Sequence, residues 1–502
     1  MNSLWLSDND IFKNIDLNTT LEQDFSTDIC IIGAGIFGLT CAYYLTKLGF
    51  NVTVLEKSDI ASKATGHTTG KITSQHGLFY DYLTNSYGQK FAKDYLDVNE
   101  EAIQNIKNII DEENINCDFK YQNSYVFTTK KSELSLIKNE YNAVSNLGYN
   151  CELVTKTGLP FNIVGALCFK NQAEFHPVKY LASLCKCIIA RNGKIYTNST
   201  AVDVKMEDSD YITYVNGHEI KSKYVIIATH YPFISFPGFY FTKMYQSTSY
   251  LIAVDTKKTL FKGMHISAGV PTLSFRTALY NNKEILLIGG MDHKTGHPSS
   301  YKDTYGKLED IAKKYYPDSN ILFRWNTRDC ISLDKLPYIG SFSSSMPNMF
   351  VGTGFKKWGM TLSNVAANII VDKICGNYNK YEYLFKSTRL KPIKNHDEFK
   401  NILVQSTNSL LLDKLKRPNM SFDEIENNSG SIIEVNGEKV GIYKDDNGKI
   451  YAVKPICTHL GCLLSWNDID KTWDCPCHGS RFNFDGTNLY DPAFKNLDTY
   501  DL

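Results

Sequence analysis

From Asp28 the chain alternates short apolar runs with amphipathic ones. DICIIG reads as a buried strand, LTCAYYLTKLG carries apolar residues at helical spacing, and NVTVLEK is a second strand, so a βαβ unit is predicted. Longer amphipathic patterns predict helices at 86–113 and 132–147. Between 195 and 330 the runs are β-rich, as in TSYLIAV and EILLIGG, which predicts a layer of mixed sheet. SNVAANIIVDKIC is apolar enough for a buried helix. A charged, Asn-rich stretch at 386–420, ending in KRPNM, predicts a linker. Beyond it, 421–502 shows short strands with Asn-Gly and Asp-Gly turns at 436, 446–448 and 485, the pattern of a small β domain. Residues 1–26 are polar without periodicity and read as an arm, and no repeat of solenoid period is present.

Composition narrows the partners. The 502 residues suit about three domains, and Lys plus Arg equal Asp plus Glu at 54 each, so no net field attracts nucleic acid or anionic lipid. MNSLWLSDNDIFKN places acids where a signal peptide needs a basic and then an apolar region, and no apolar run reaches bilayer length. A cytoplasmic protein with no membrane span is expected. Nine of the thirteen cysteines precede residue 400, mostly in apolar surroundings where a reduced, buried thiol is expected.

Gly33-Ala34-Gly35-Ile36-Phe37-Gly38 lies between the first strand and its helix, and Glu56 ends the second strand. In such a unit Gly33 permits the tight turn, Gly35 lets the backbone approach a pyrophosphate, and Gly38 lets helix and strand pack. The helix N-terminus stabilises the phosphate charge and Glu56 accepts from ribose hydroxyls. Further on, Gly352, Gly354 and Gly359 precede a helix whose positive end, with Lys356 or Lys357, can face an anionic ring.

With the loop ASKATGHTTGK (61–71), the strand YVIIATHYP (224–232), LPYIGSF and NMFVGTGFKKWGMTLS (348–363), these features resemble the D-amino-acid oxidase superfamily, which includes glycine oxidase, sarcosine oxidase and dimethylglycine dehydrogenase. The resemblance covers about 27–385. It implies FAD and a Rossmann-like α/β FAD-binding domain (about 27–80, 160–235 and 330–385) interleaved with an α+β substrate domain (about 81–159 and 236–329). It also implies cofactor contacts at Lys57, Gly66, His67, Thr68, Val202, Ala228, Thr229, Phe355, Lys357 and Met360, besides the glycines, Ile36 and Phe37. In dimethylglycine dehydrogenase-like members a histidine in a loop similar to ATGHTTG is bonded to the flavin, a role His67 would fill. Its alternative is packing against the flavin or the loop.

One departure concerns the substrate. Amino-acid oxidases of this group carry an arginine that clamps the substrate carboxylate. Aligned on Trp325 and Asp334, that place falls to Asp329, with Arg328 one position early. An acid there favours a cationic amine, although Asp329 paired with Arg328 as a structural acid is the competing reading. Tyr250, Arg276, His293 and Lys294 are further candidates to line a substrate site.

Near the C-terminus, CTHLGC (457–462) and CPCHGSRF (475–482) gather four cysteines and two histidines. Two thiolates and two imidazoles could hold one zinc, leaving Cys462 and Cys477 without a role. The paired loops resemble those of cytochrome bc-type Rieske proteins, with Pro492 in DPAF similar to the proline loop over the cluster. The resemblance implies a 2Fe-2S centre held by Cys457, Cys475, His459 and His478, and a Cys462–Cys477 disulfide, in a small all-β domain. Such centres lie within roughly −150 to +300 mV. Ser480 matches a serine that bonds a cluster sulfur, whereas Phe482 replaces a tyrosine, so a potential below that of the high-potential members is expected.

A flavin that takes electron pairs and a cluster that passes them singly predict an FAD-dependent dehydrogenase. It would oxidise a C–N bond of an amine or N-substituted amino acid and deliver electrons to an external one-electron acceptor. The alternatives are a flavin reductase or oxidase fed by, or regulated through, the cluster domain.

Overall fold

The computed structural model describes residues 3–8, 10–297, 303–389 and 420–500. Most of the expected linker, 390–419, lies outside the described residues.

The first apolar run forms strand Phe25–Ile32, with its last four residues buried. It starts ahead of the apolar pattern because Phe25, Ser26 and Thr27 pair in parallel with Ile220, Lys221 and Ser222. Its sheet runs in the order Tyr338–Ser343, Met346–Thr353, His218–Ile227, Phe25–Ile32, Val52–Leu55, Lys194–Tyr196, with Ala201–Glu207 and Asp210–Val215 leaning on one strand. Helices Ile36–Lys47, Pro177–Ala190 and Gly359–Cys375 cover it, sharing one core with Ile29, Leu39, Val54, Leu181 and Ile369. Parallel strands covered in this way must be apolar on both faces, which is why ICII and YVII read as unbroken runs.

The second sheet has nine strands. Its long antiparallel members are Asn320–Ser332, Met244–Asp255, Lys283–Lys294 and Leu273–Tyr280, continued by Met264–Ser267, Lys120–Thr128, Gly165–Glu174 and Lys71–Ile72. It thus takes Lys71–Ile72 and Gly165–Glu174 from stretches that the resemblance assigns to the FAD-binding domain. Helices Gln89–Glu112 and Leu134–Asn146 flank it. The pattern read from 86 divides in two because Gly88 adopts φ +91°, ending helix Tyr80–Tyr87.

The N-terminal residues, expected as an arm, are docked through Ser3 and Trp5. Trp5 is 1% exposed, and its Nε1 donates to the Thr68 carbonyl at 2.6 Å, while the Ser3 hydroxyl donates to the Gly66 carbonyl. Of the nine early cysteines, seven are buried, Cys187 is intermediate and Cys375 is exposed; all are free.

The C-terminal domain is two four-stranded antiparallel sheets. One holds Ser429–Val435, Glu438–Lys444, Ile450–Val453 and Thr499–Tyr500; the other holds Ser465–Asn467, Thr472–Asp474, Arg481–Asn483 and Asn488–Tyr490. Among the described residues, no helix is long and apolar enough to cross a membrane.

Candidate functional site

The glycine turn is dictated by contacts that leave no room for a side chain. Gly33 has φ +113°, and a Cβ on Gly38 would lie 2.0 Å from the Gly33 carbonyl oxygen. Helix Ile36–Lys47 starts at Gly35 with no side-chain cap. Glu56 accepts from the Ala34 N–H at 2.9 Å and the Ser58 N–H at 3.1 Å, and burial raises its pKa.

A large cavity runs along this turn. Of the expected cofactor contacts, it is lined by Gly33, Gly35, Ile36, Phe37, Glu56, Lys57, Thr68, Ala228, Thr229, Phe355, Lys357, Gly359 and Met360. The others lie outside the lining. Gly38 packs beneath the turn, Gly66 faces Leu6, and Gly354 faces Met244. Val202 is 43% exposed beside the lining residues Thr200 and Ala201. His67 is turned into its own loop, with Nδ1 2.8 Å from the Lys63 carbonyl oxygen, and burial pulls its pKa down to about 4. A flavin bond at His67 therefore has no support in the position of its ring.

Dinucleotide binding fits this cavity on a separate observation. Thr229 Oγ1, His230 Nε2 and Ser363 Oγ all belong to lining residues, are buried and have no hydrogen-bond partner. Buried polar atoms are rarely left so, and a polar ligand would satisfy them. Thr229→Val is expected to weaken FAD binding about fivefold, one lost hydrogen bond, while raising the Tm of the flavin-free protein. A flavin titration and a melting curve check both effects.

The far part of the cavity is built by the second sheet, and strand alternation decides which side chains enter it. On Met244–Asp255, Ser249 and Leu251 face in; on Asn320–Ser332, Thr327 and Asp329 do. Tyr250 faces the other way, edge-on to Tyr305 at 5.2 Å and 3.2 Å from His293 Nε2. Arg276 is buried behind the loop, donating to the Thr69 and Gly70 carbonyls at 2.7 and 2.8 Å. Lys294 lies over the Tyr245 ring at 5.7 Å. Of the five substrate-site candidates, only Asp329 lines the cavity.

Burial raises the Asp329 pKa to about 6, with Lys357 opposing and Asp292 adding to the rise. Lys357 bridges Asp292 at 3.2 Å and Ser249 Oγ at 3.1 Å. Arg328, on the opposite face, is stacked 3.6 Å over Tyr490, so it does not pair with Asp329. Sequence reading missed Lys71, Ser249 and Asp292. Only the register of strands could have found Ser249 and Asp292. Lys71 Nζ donates to the His265 carbonyl at 3.0 Å and Ser274 Oγ at 2.6 Å, and burial draws its pKa down to about 7.

In the C-terminal domain, loops 457–462 and 475–480 converge. Cys462 and Cys477 form a disulfide, so their sulfurs are not thiolate donors although they lie within 4.8 Å of Cys475 Sγ. His459 and His478 present buried Nδ1 atoms without partners, and burial lowers their pKa values to about 4 and about 3, keeping them neutral as metal ligands must be. Cys457 shares a hydrogen bond with Cys475 that draws its pKa down to about 7. Two thiols and two free Nδ1 atoms fit a 2Fe-2S centre of mixed ligation. Ser480, fully buried, also hydrogen-bonds Cys457, while Phe482 is packed in the core of the domain.

Comparison with known families agrees with both sites. Residues 28–373 match the FAD dependent oxidoreductase family, and residues 418–501 match the Rieske [2Fe-2S] domain. The chain belongs to the FAD dependent oxidoreductase family. It carries a C-terminal Rieske domain, and its cofactors are FAD and a 2Fe-2S cluster. The oxidoreductase is 36% identical over 482 residues to the Rieske 2Fe-2S iron-sulfur protein YhfW of Bacillus subtilis, covering 96% of this chain and 95% of that one. It is 21% identical over 378 residues to γ-glutamylputrescine oxidoreductase of Escherichia coli, covering 72% and 87%. Glycine oxidase from Geobacillus kaustophilus has a similar fold, with a TM-score of 0.63 at 17% identity over 72% of this chain and 99% of that one.

The histidine loops of the C-terminal domain pack against the flavin domain. Ser235 Oγ is 3.1 Å from His459 Nε2, Phe241 stands edge-on to His478 at 5.7 Å, and Gln246 Nε2 donates to the His478 carbonyl at 3.0 Å. His459 and His478 thus lie against the segment that follows the cavity-lining residues Ala228, Thr229, His230 and Phe233.

Proposed function

We propose that the oxidoreductase oxidises a C–N bond of an amine or N-substituted amino acid and passes the electrons through its own Rieske centre to an external one-electron acceptor. The observation that carries this reading is the short path between sites: Phe233 lines the flavin cavity, and Ser235, two residues on, touches a cluster histidine. When bound, FAD supplies two-electron chemistry and the cluster one-electron transfer.

The residues of the chamber support an amine. Asp292 is neutralised by Lys357, which leaves the Asp329 carboxylate to accept N–H bonds from a cationic nitrogen and orient the adjacent carbon. Arginine is missing from the cavity lining, so a bidentate carboxylate clamp of the amino-acid oxidase kind has no counterpart among the described residues. Hydride loss requires the neutral amine, so the bound cation must first give up one N–H proton, and the Asp329 carboxylate that accepts its hydrogen bond is placed to take it. The name of the Escherichia coli relative, γ-glutamylputrescine oxidoreductase, points to the same substrate class.

Anaerobic mixing with primary and secondary amines, following flavin absorbance and cluster EPR together, tests this. Bleaching of the flavin followed by growth of a Rieske signal is expected. Flavin reduction only by a reduced carrier protein, with every amine inert, would reverse the direction of flow and overturn the proposal.

A further inference from the structure

We propose that the Rieske domain supplies one wall of the FAD site, through Asp491 and Phe494, so that flavin binding and docking of the cluster domain are linked equilibria. The segment from Asn488 to Phe494 has two sides. Toward the cluster, the Ala493 N–H donates at 3.0 Å to Ser480 Oγ, the hydroxyl that also bonds the cluster ligand Cys457. Toward the flavin domain, Asp491 and Phe494 enter the lining of the dinucleotide cavity, where Asp491 meets Lys57. Lys57 follows Glu56, the residue that would accept from the adenosine ribose, so Asp491 borders that end of the cavity.

The seating of the segment is specific. Lys57 Nζ donates to Asp491 Oδ1 at 2.9 Å and Asn488 Oδ1 at 3.3 Å, and Lys63 Nζ donates to the Leu489 carbonyl at 2.9 Å. Gln246 Nε2 reaches the Asp491 carbonyl at 2.9 Å. Lys57 and Lys63 also line the cavity, so the groups that fasten the cluster domain are the ones that border the dinucleotide. Phe494, 43% exposed, adds an aromatic side chain to the lining.

The physical consequence is reciprocal. Contacts between the dinucleotide and Asp491 or Phe494 exist only while the domain is docked. FAD therefore favours the docked arrangement, and docking must raise FAD affinity by the same factor. The Lys57–Asp491 pair is about a quarter exposed on each side. Its screened attraction is modest, so the linkage rests on the combined wall and not on that pair.

The test uses the full chain, stripped of FAD and titrated with FAD by fluorescence quenching, with spin-counted EPR reporting the cluster. Asp491→Ala with Phe494→Ala is expected to raise the Kd for FAD about tenfold while the Rieske signal persists. Gln246→Ala, outside the dinucleotide cavity, is expected to raise it about threefold through docking alone. FAD binding to the wild-type chain is expected to slow amide hydrogen exchange at 488–494. If the double variant loses its cluster, Phe494→Ser alone and the wild-type exchange measurement decide. An unchanged Kd in a variant that keeps its cluster, or exchange at 488–494 indifferent to FAD, overturns the proposal.

Discussion

Replacing Arg481 by methionine is expected to destabilise the Rieske domain by about 3–5 kcal/mol, the cost of leaving buried carboxylates without their cation. Arg481 is 1% exposed. Its NH1 donates to Asp470 Oδ2 at 2.8 Å and its NH2 to Asp474 Oδ2 at 2.6 Å. The arrangement follows from the register, since Arg481 is directly opposite Asp474 in adjacent strands. Asp474 also accepts from Asn467 at 2.9 Å and Thr472 at 2.8 Å. Burial by itself would raise the Asp474 pKa, yet the adjoining guanidinium outweighs it and the pKa is lowered.

A depressed acid pKa contributes stability above the unfolded value, about 3.9 for Asp, and that stability is lost as pH falls through the folded value. The domain should therefore be lost in acid, and Arg481→Met should lose it near neutrality as well. Thermal unfolding followed by circular dichroism and by the Rieske EPR signal measures the effect. A variant melting with the parent at neutral pH would show the ion pairs to be dispensable. Converting Asp470 and Asp474 to leucine alongside Arg481→Met should restore much of the loss, because an apolar replacement leaves no charge stranded.

Asp329→Asn is expected to lower kcat/KM for a cationic amine about a hundredfold, equivalent to about 2.7 kcal/mol. The wild-type enzyme should lose affinity as pH falls through about 6, where the Asp329 carboxylate takes up a proton. The variant should be flat in that window. A wild-type profile without that limb, or one retained by the variant, would remove Asp329 from substrate binding. Stability provides an independent check. An acid whose folded pKa is raised disfavours folding above its unfolded pKa, so Asp329→Asn is expected to raise Tm at pH 8, where a purely structural acid would lower it.

Much of the molecule was legible in one dimension. The βαβ unit, the glycine turn and Glu56 lie within 29 residues and answer to local geometry, so their positions along the chain were sufficient. The paired Cys and His loops were equally plain, because ligand spacing survives any packing of the rest. The substrate chamber was not. Asp329 and Arg328 are adjacent, and only the pairing of Asn320–Ser332 with Met244–Asp255 decides that one enters the cavity while the other stacks on Tyr490. Tyr250, expected at the substrate, lies on the reverse face for the same reason. Nothing along the arm marked where it docks, because Trp5 is covered by a loop some sixty positions away.

The two cofactors and the two kinds of domain that hold them were thus determined by the sequence itself, since each depends on motifs held together by short-range chain geometry. Only the tertiary structure decided which side chains share the flavin cavity, Asp491 and Phe494 of the cluster domain among them. Those relations depend on strand register and on Lys57 meeting Asp491 across more than four hundred residues. Contacts between such distant residues arise from packing, which periodicity and spacing along the chain do not encode.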